Sequence, residues 1–252
     1  MYPMIVLALD TSVREGSAAL VDDDRVVAER AGDPSRTHAE RLPGECLTLL
    51  AAHRVSLSSV ELFAVASGPG SFTGLRVGIA AMQGFAAVTG RPIVGVPVLE
   101  ALGHLGSAGR APGSLVAVWM DAHRHDVFAV LYRVMPAALF EPEHLAEVEP
   151  PAVGTPSALL NAWRPSLAGE PVVWIGDGAT AAADAIARSL PAAPILPHPL
   201  AAGAIGRLAI ARARRGEAGG PATVQPVYLR RPDAEIDRDR RAAEITGVKG
   251  RS

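Results

Sequence analysis

Two acids stand at the ends of apolar runs. Ile5-Val6-Leu7-Ala8-Leu9 stops at Asp10-Thr11-Ser12, and Leu115-Val116-Ala117-Val118-Trp119-Met120 stops at Asp121. Two strand-end carboxylates facing each other across a cleft could hold a metal-bound nucleotide phosphate, because hard divalent cations take oxygen ligands. Alternatively, each Asp caps the turn that follows by accepting from the backbone two residues on. The sequence leaves both readings open.

A second candidate is Gly68-Pro69-Gly70-Ser71-Phe72-Thr73-Gly74. A glycine-rich turn opening a helix offers backbone N–H groups to an anion. It is not a Walker A loop, since no Gly-Lys-Ser/Thr follows. It misses the dinucleotide pattern by one residue, and no Asp or Glu lies between Leu75 and Leu99 to bind a ribose. Its plainer use is a strand-to-helix turn with Ser71 or Thr73 as N-cap.

The helix after that turn carries Gly74, Gly78, Ala81 and Gly84 three or four apart, on one face. Interior glycine costs a helix about 1 kcal/mol relative to alanine, so something is expected to approach this face closely. That is either the protein's own sheet or a helix of another chain. Leu75, Ile79, Met82 and Phe85 form a neighbouring apolar stripe, and if one stripe meets the sheet the other is left for a partner. Of the histidines, most are expected at the surface. His123 and His125 would share one face of a strand, and no HxxxH or HExxH occurs, so no metal site is expected. No Gly-x-Ser-x-Gly elbow supports a serine hydrolase.

These residues need a scaffold. The 252-residue chain is 49% hydrophobic, enough for one large domain or two small ones. Its apolar runs are too short for a membrane span, the N-terminus lacks a basic signal region, and the lone Cys46 excludes an internal disulfide. A cytoplasmic protein is expected. The net charge of −2, with Arg scattered among Asp and Glu, gives no basic stripe for gripping RNA unaided.

Along the chain, the runs near 5–9, 16–21 and 25–29 read as a three-strand meander. A helix follows over about 39–53, with Pro43 near its first turn, where a missing N–H matters little. Next come a buried strand at 62–66, a helix at 73–89 and a strand at 93–96. The pattern then restarts with 115–121 and a return strand at 126–132. A later strand occupies 172–175, an amphipathic helix 200–214, and an extended piece 226–229. The sequence beyond is charged and poor in apolar residues, as in a disordered tail. The duplicated meander predicts an α/β protein with two similar lobes, the layout of the actin/hexokinase/Hsp70 superfamily (ASKHA fold). The division expected is 1–104 for the first lobe and 105–229 for the second, both ribonuclease H-like, with the 198–216 helix packing back on the first and a tail at 230–252.

In family order, Leu7–Ser12, His38, Ser67–Gly78, Gly84, Pro92–Val96, Met120–Arg124 and Pro226–Arg230 resemble the TsaB (YeaZ) family. The resemblance is dense to about residue 128 and thin after it, and 68–78 is its specific part. It implies a non-catalytic subunit for threonylcarbamoyladenosine (t6A) modification of tRNA. Its partner would be the related enzyme TsaD, once classed with M22 glycoproteases. The ATPase TsaE would join through that complex, tRNA would be met indirectly, and the isolated chain would form a homodimer through the same surface. The first two helices, with Leu42, Cys46, Leu49, Leu50, Gly74, Gly78, Ala81 and Gly84, would form that interface. TsaD binds metal through His-x-x-x-His after the fifth strand, where this chain has Val98 and Leu102. Apolar side chains cannot ligate a divalent ion, so the resemblance implies no catalytic residue and no metal. It leaves at most a vestigial nucleotide or phosphate site of Asp10, Thr11, Ser12, Gly68, Gly70, Ser71 and Asp121, with weak ADP or ATP binding. Competing readings are a glycoprotease-like hydrolase and an actin-fold small-molecule kinase.

Overall fold

The structure is a computed structural model, and it describes residues 4–230. The tail expected beyond Arg230 lies outside the described residues. The first lobe is built on β1 (Ile5–Asp10), β2 (Ser17–Asp22), β3 (Arg25–Ala31), β4 (Leu62–Gly68) and β5 (Ile93–Pro97), in sheet order β3-β2-β1-β4-β5. The second has β6 (Leu115–Asp121), β7 (Val127–Val134), β8 (Leu145–Gly154), β9 (Val172–Ile175) and β10 (Ile195–Leu196), in order β10-β9-β6-β7-β8. In each sheet an antiparallel meander is joined to a parallel pair, so the two sheets repeat one plan.

The central strands are buried on both faces, which is why they read as continuous apolar runs. Alternate residues separate into three cores. Leu7, Leu9, Phe63 and Val65 pack beneath α1 (His38–Ala52) and α2 (Phe72–Thr89). Leu115, Ala117, Trp119 and Trp174 pack with Trp163 of α4 (Pro156–Leu167) and with α5 (Asp177–Ala181) and α6 (Ala183–Ser189). The opposite faces, with Val6, Ala8, Val116 and Val118, share one core that joins the lobes through α3 (Val98–Ser107) and α7 (Ala202–Arg214).

Helix α7 lies on the first sheet, against β1, β2 and β4. Its N-terminus has no capping side chain of its own. Instead Ala202 N donates to Ser17 Oγ (3.1 Å) and Gly203 N to a Glu29 carboxylate oxygen (2.8 Å), so β2 and β3 satisfy the helix end. Glu100 of α3 and Arg212 of α7 meet at 2.5 Å.

Several expectations need correction. The helix at 202–214 is covered on more than its apolar face: every residue from Ala202 to Ala211 except Arg207 is buried, because a sheet and α3 cover it from two sides. Pro43 is the sixth residue of α1, beyond the first turn, since the helix begins at His38. The strand β8 and helices α3 and α4 were not expected at all. No described helix is long and apolar enough to cross a membrane.

Candidate functional site

The turn at Gly68–Ser71 is shaped by close backbone approaches. Gly68 (φ 119°) and Gly70 (φ 155°) occupy conformations that disfavour side chains. Ser71 N donates to Ser12 O (2.7 Å), which ties the turn to the end of β1. Ser71 is also the N-cap of α2, its hydroxyl accepting from Gly74 N (3.1 Å). Of the two candidate caps, Ser71 is the one used.

Asp10 is buried, and its carboxylate accepts from Ser12 N at 2.8 Å. Asp121 is exposed and accepts from His123 N, also at 2.8 Å. Both acids therefore cap their turns. They differ in access. A cleft of about 820 Å³ between the lobes is lined by Ser12, Gly70, Ser71 and Asp121, with Arg14, Arg36, His38 and His123 around them. Asp10, Thr11 and Gly68 stand behind that wall. The hydroxyls of Thr11 and Ser12 are buried without a hydrogen-bond partner.

Sequence reasoning missed Arg41. Its guanidinium is buried and donates to Glu15 O (2.5 Å), Arg14 O (3.2 Å), Glu45 (2.6 Å) and His38 Nδ1 (2.9 Å). It thereby fixes the β1–β2 turn at the cleft edge. Burial, and then the Arg41 charge, hold the His38 imidazole below its ordinary pKa. The available signal was an arginine beside the inward Leu42, four residues before a glutamate.

His123 and His125 do not share a strand face. With Arg124 they form the tip of the β6–β7 hairpin, all three at positive φ (58°, 54° and 67°). Two of the histidines lie inside the protein. His104 and His144 are buried, their rings stacked 5.4 Å apart, and His104 Nδ1 accepts from Phe140 N (3.1 Å). Burial above all, then the nearby His144, Arg212 and Arg207, lowers the His104 pKa to about 3. Among the described residues, no three His, Cys, Asp or Glu gather in a metal-binding group.

The interface residues divide. Leu42, Cys46, Leu49 and Leu50 are buried in the chain's own core, so their side chains face inward and not toward a partner. Gly74 and Gly78 also face inward. A Cβ on Gly74 would lie 2.3 Å from Thr11 O, and one on Gly78 would lie 2.2 Å from Thr11 Oγ1. The end of β1 explains both glycines. Ala81 is half-buried, and Gly84 is exposed with nothing near its Cβ position. The exposed small and apolar residues of α1 and α2 instead include Ala39, Pro43, Leu47, Ala80, Gly84, Ala87 and Val88, alongside the exposed Glu40, Thr48 and Arg76. Leu47 is 45% and Val88 84% exposed. Val98 and Leu102 are wholly buried in the core between the lobes.

Two repeated meander sheets enclosing a cleft define an actin-like two-lobe protein. A family pattern for TsaD, tRNA N6-adenosine threonylcarbamoyltransferase, matches residues 32–237, and the chain belongs to that family. An uncharacterised protein of Mycobacterium leprae is 33% identical over 171 residues, 66% of this chain and 43% of that one. The TsaB protein of Escherichia coli, named for tRNA threonylcarbamoyladenosine biosynthesis, is 32% identical over 130 residues, 52% of this chain and 55% of that one. The chain thus spans about half the length of the curated relatives it matches. The solved structure of YeaZ from Pseudomonas aeruginosa superposes with a TM-score of 0.71 at 28% identity, covering 90% of this chain and 100% of that one.

Proposed function

We propose that this chain is the non-catalytic partner of TsaD in t6A modification of tRNA, acting in the cytoplasm as its scaffold and activator. The observation that carries this reading is the pair Val98 and Leu102. On the family resemblance they fall where TsaD would carry its metal-binding histidines, and both are committed to the core between the lobes. Hydrocarbon side chains offer a divalent ion no lone pair. The named relatives in t6A biosynthesis support the same reading.

The docking surface in this proposal is the outer face of α1 and α2. Small and apolar residues there let a second helix pair approach closely, and the exposed Leu47 and Val88 gain by burial against a partner. The face serves TsaD in the complex, with TsaE joining it, and a second copy of this chain in isolation. tRNA is reached through the complex. Ser12, Ser71, Asp121 and the N-terminus of α2 form the wall where ADP or ATP phosphates would bind weakly. Reconstitution with purified TsaD from the same organism tests the proposal. t6A synthesis should require both chains, and TsaD equally active alone would refute it.

A further inference from the structure

The lobes are joined covalently after α3 and before α7. Besides the core shared through α3 and α7, a further non-covalent link runs along one side of the cleft. Val227 N donates to Ser67 O (2.7 Å) at the end of β4. The Val227 carbonyl lies 2.4 Å from where a Cβ on Gly68 would stand, so the first lobe is recessed to receive this segment. The Tyr228 ring packs on Phe72 (centroids 4.9 Å apart), and its hydroxyl accepts from Arg76 Nε (2.9 Å). Leu229 packs against the core between the lobes.

Arg230 then reaches the second lobe. One guanidinium nitrogen donates to Ala122 O (2.7 Å), and another pairs with the Asp126 carboxylate. Ala122 and Asp126 are the two feet of the β6–β7 hairpin, joined by Ala122 N donating to Asp126 O (3.0 Å). Between them stand His123, Arg124 and His125, the three left-handed residues. Such conformations persist where surrounding contacts over-determine them. Arg230 supplies such contacts, with both partners largely shielded from water, where a charge-assisted pair is strong.

We propose that Val227–Arg230 is an interlobe clamp, which sets the opening of the cleft and pins the strained hairpin through Arg230. All four of its residues line the cleft. One end is fixed to β4 and α2, the other to β6 and β7, so the cleft cannot widen without breaking the Arg230 contacts. The clamp rests on geometry alone and is independent of the proposed partner.

The test is an interlobe distance measured by pulsed electron spin resonance on the full chain. Spin labels go on Ser58→Cys and Asn161→Cys, exposed positions in the first and second lobes. Cys46 stays unlabelled, because its side chain is wholly buried and burial pushes its thiol up to about 12. Dilution with unlabelled protein removes distances between copies. The unaltered clamp should give one narrow distribution. Arg230→Ala should broaden it and shift it to longer distances, and adding Asp126→Asn should change it no further. A folded Arg230→Ala protein whose distribution superposes on the original overturns the clamp. If that variant fails to fold, the near-isosteric Asp126→Asn alone carries the test, with broadening expected and superposition fatal.

Discussion

Asp10 and Asp121 make the same local hydrogen bond in the two lobes. Each carboxylate accepts from the amide two residues on, at 2.8 Å, yet Asp10 is buried and Asp121 is open to the cleft. Burial decides what each bond is worth. Asp10→Ala strands the Ser12 amide without an acceptor and should destabilise the fold by about 1–3 kcal/mol. Asp121→Ala leaves its amide to water and should stay within about 0.5 kcal/mol of the parent. Urea unfolding of both variants checks this, and equal losses would contradict it.

The glycines of α2 should behave in opposite ways along one helix. A Cβ at Gly74 meets a backbone carbonyl that cannot rotate aside, so Gly74→Ala should cost about 1–3 kcal/mol. Gly84 is exposed with nothing near it, and Gly84→Ala should be neutral or stabilise by up to about 1 kcal/mol. Thermal melts of the two variants separate them. A Gly74→Ala protein as stable as the parent would show that β1 does not constrain this helix.

The docking face should respond to charge without loss of fold. Leu47→Glu with Val88→Glu places carboxylates on exposed apolar positions, so circular dichroism should be unchanged. Association should fall by about tenfold or more, since desolvating an unpaired charge costs well above 1.4 kcal/mol. Light scattering reads the self-association. A folded variant of undiminished mass would move the interface elsewhere.

His104 should make the protein sensitive to mild acid. Its folded pKa is lowered to about 3, against an unfolded value near 6.5. Above about pH 6.5 it is neutral in both states and contributes no pH dependence. Below that, the unfolded chain takes a proton the folded one refuses, and stability falls by about 1.4 kcal/mol per pH unit until the folded form also protonates. His104→Gln keeps an acceptor within reach of Phe140 N and removes the titration. Between pH 6.5 and 5 the variant should lose roughly 2 kcal/mol less than the parent. Parallel losses would contradict the assignment.

The strands and the Gly68–Ser71 turn were legible because burial on both faces and a glycine-rich break each leave a local signature. β8 was hidden by its half-exposed surface and by Pro150 and Pro151, which read as a strand breaker. α3 was hidden because it is short, buried on nearly every side, and contains Gly103 and Gly106, where Tyr132 and Val116 press on the helix. The orientation of α2 was illegible for a different reason. Helical spacing defines stripes without saying what covers them, and here the glycine stripe and the leucine stripe both turn largely inward. Ser12, Gly70, Ser71 and Asp121 line one cleft, whereas Asp10, Thr11 and Gly68 of the same candidate site do not reach it. The buried Arg41 and the Arg230 contacts depend on pairings across the chain that no local pattern encodes.

The central claim is a role in t6A formation, and the nucleoside content of bulk tRNA measures it directly. Cells depleted of this protein should lose t6A, and the intact chain should restore it. The Leu47→Glu, Val88→Glu variant should not. An unchanged t6A level in depleted cells would contradict the account.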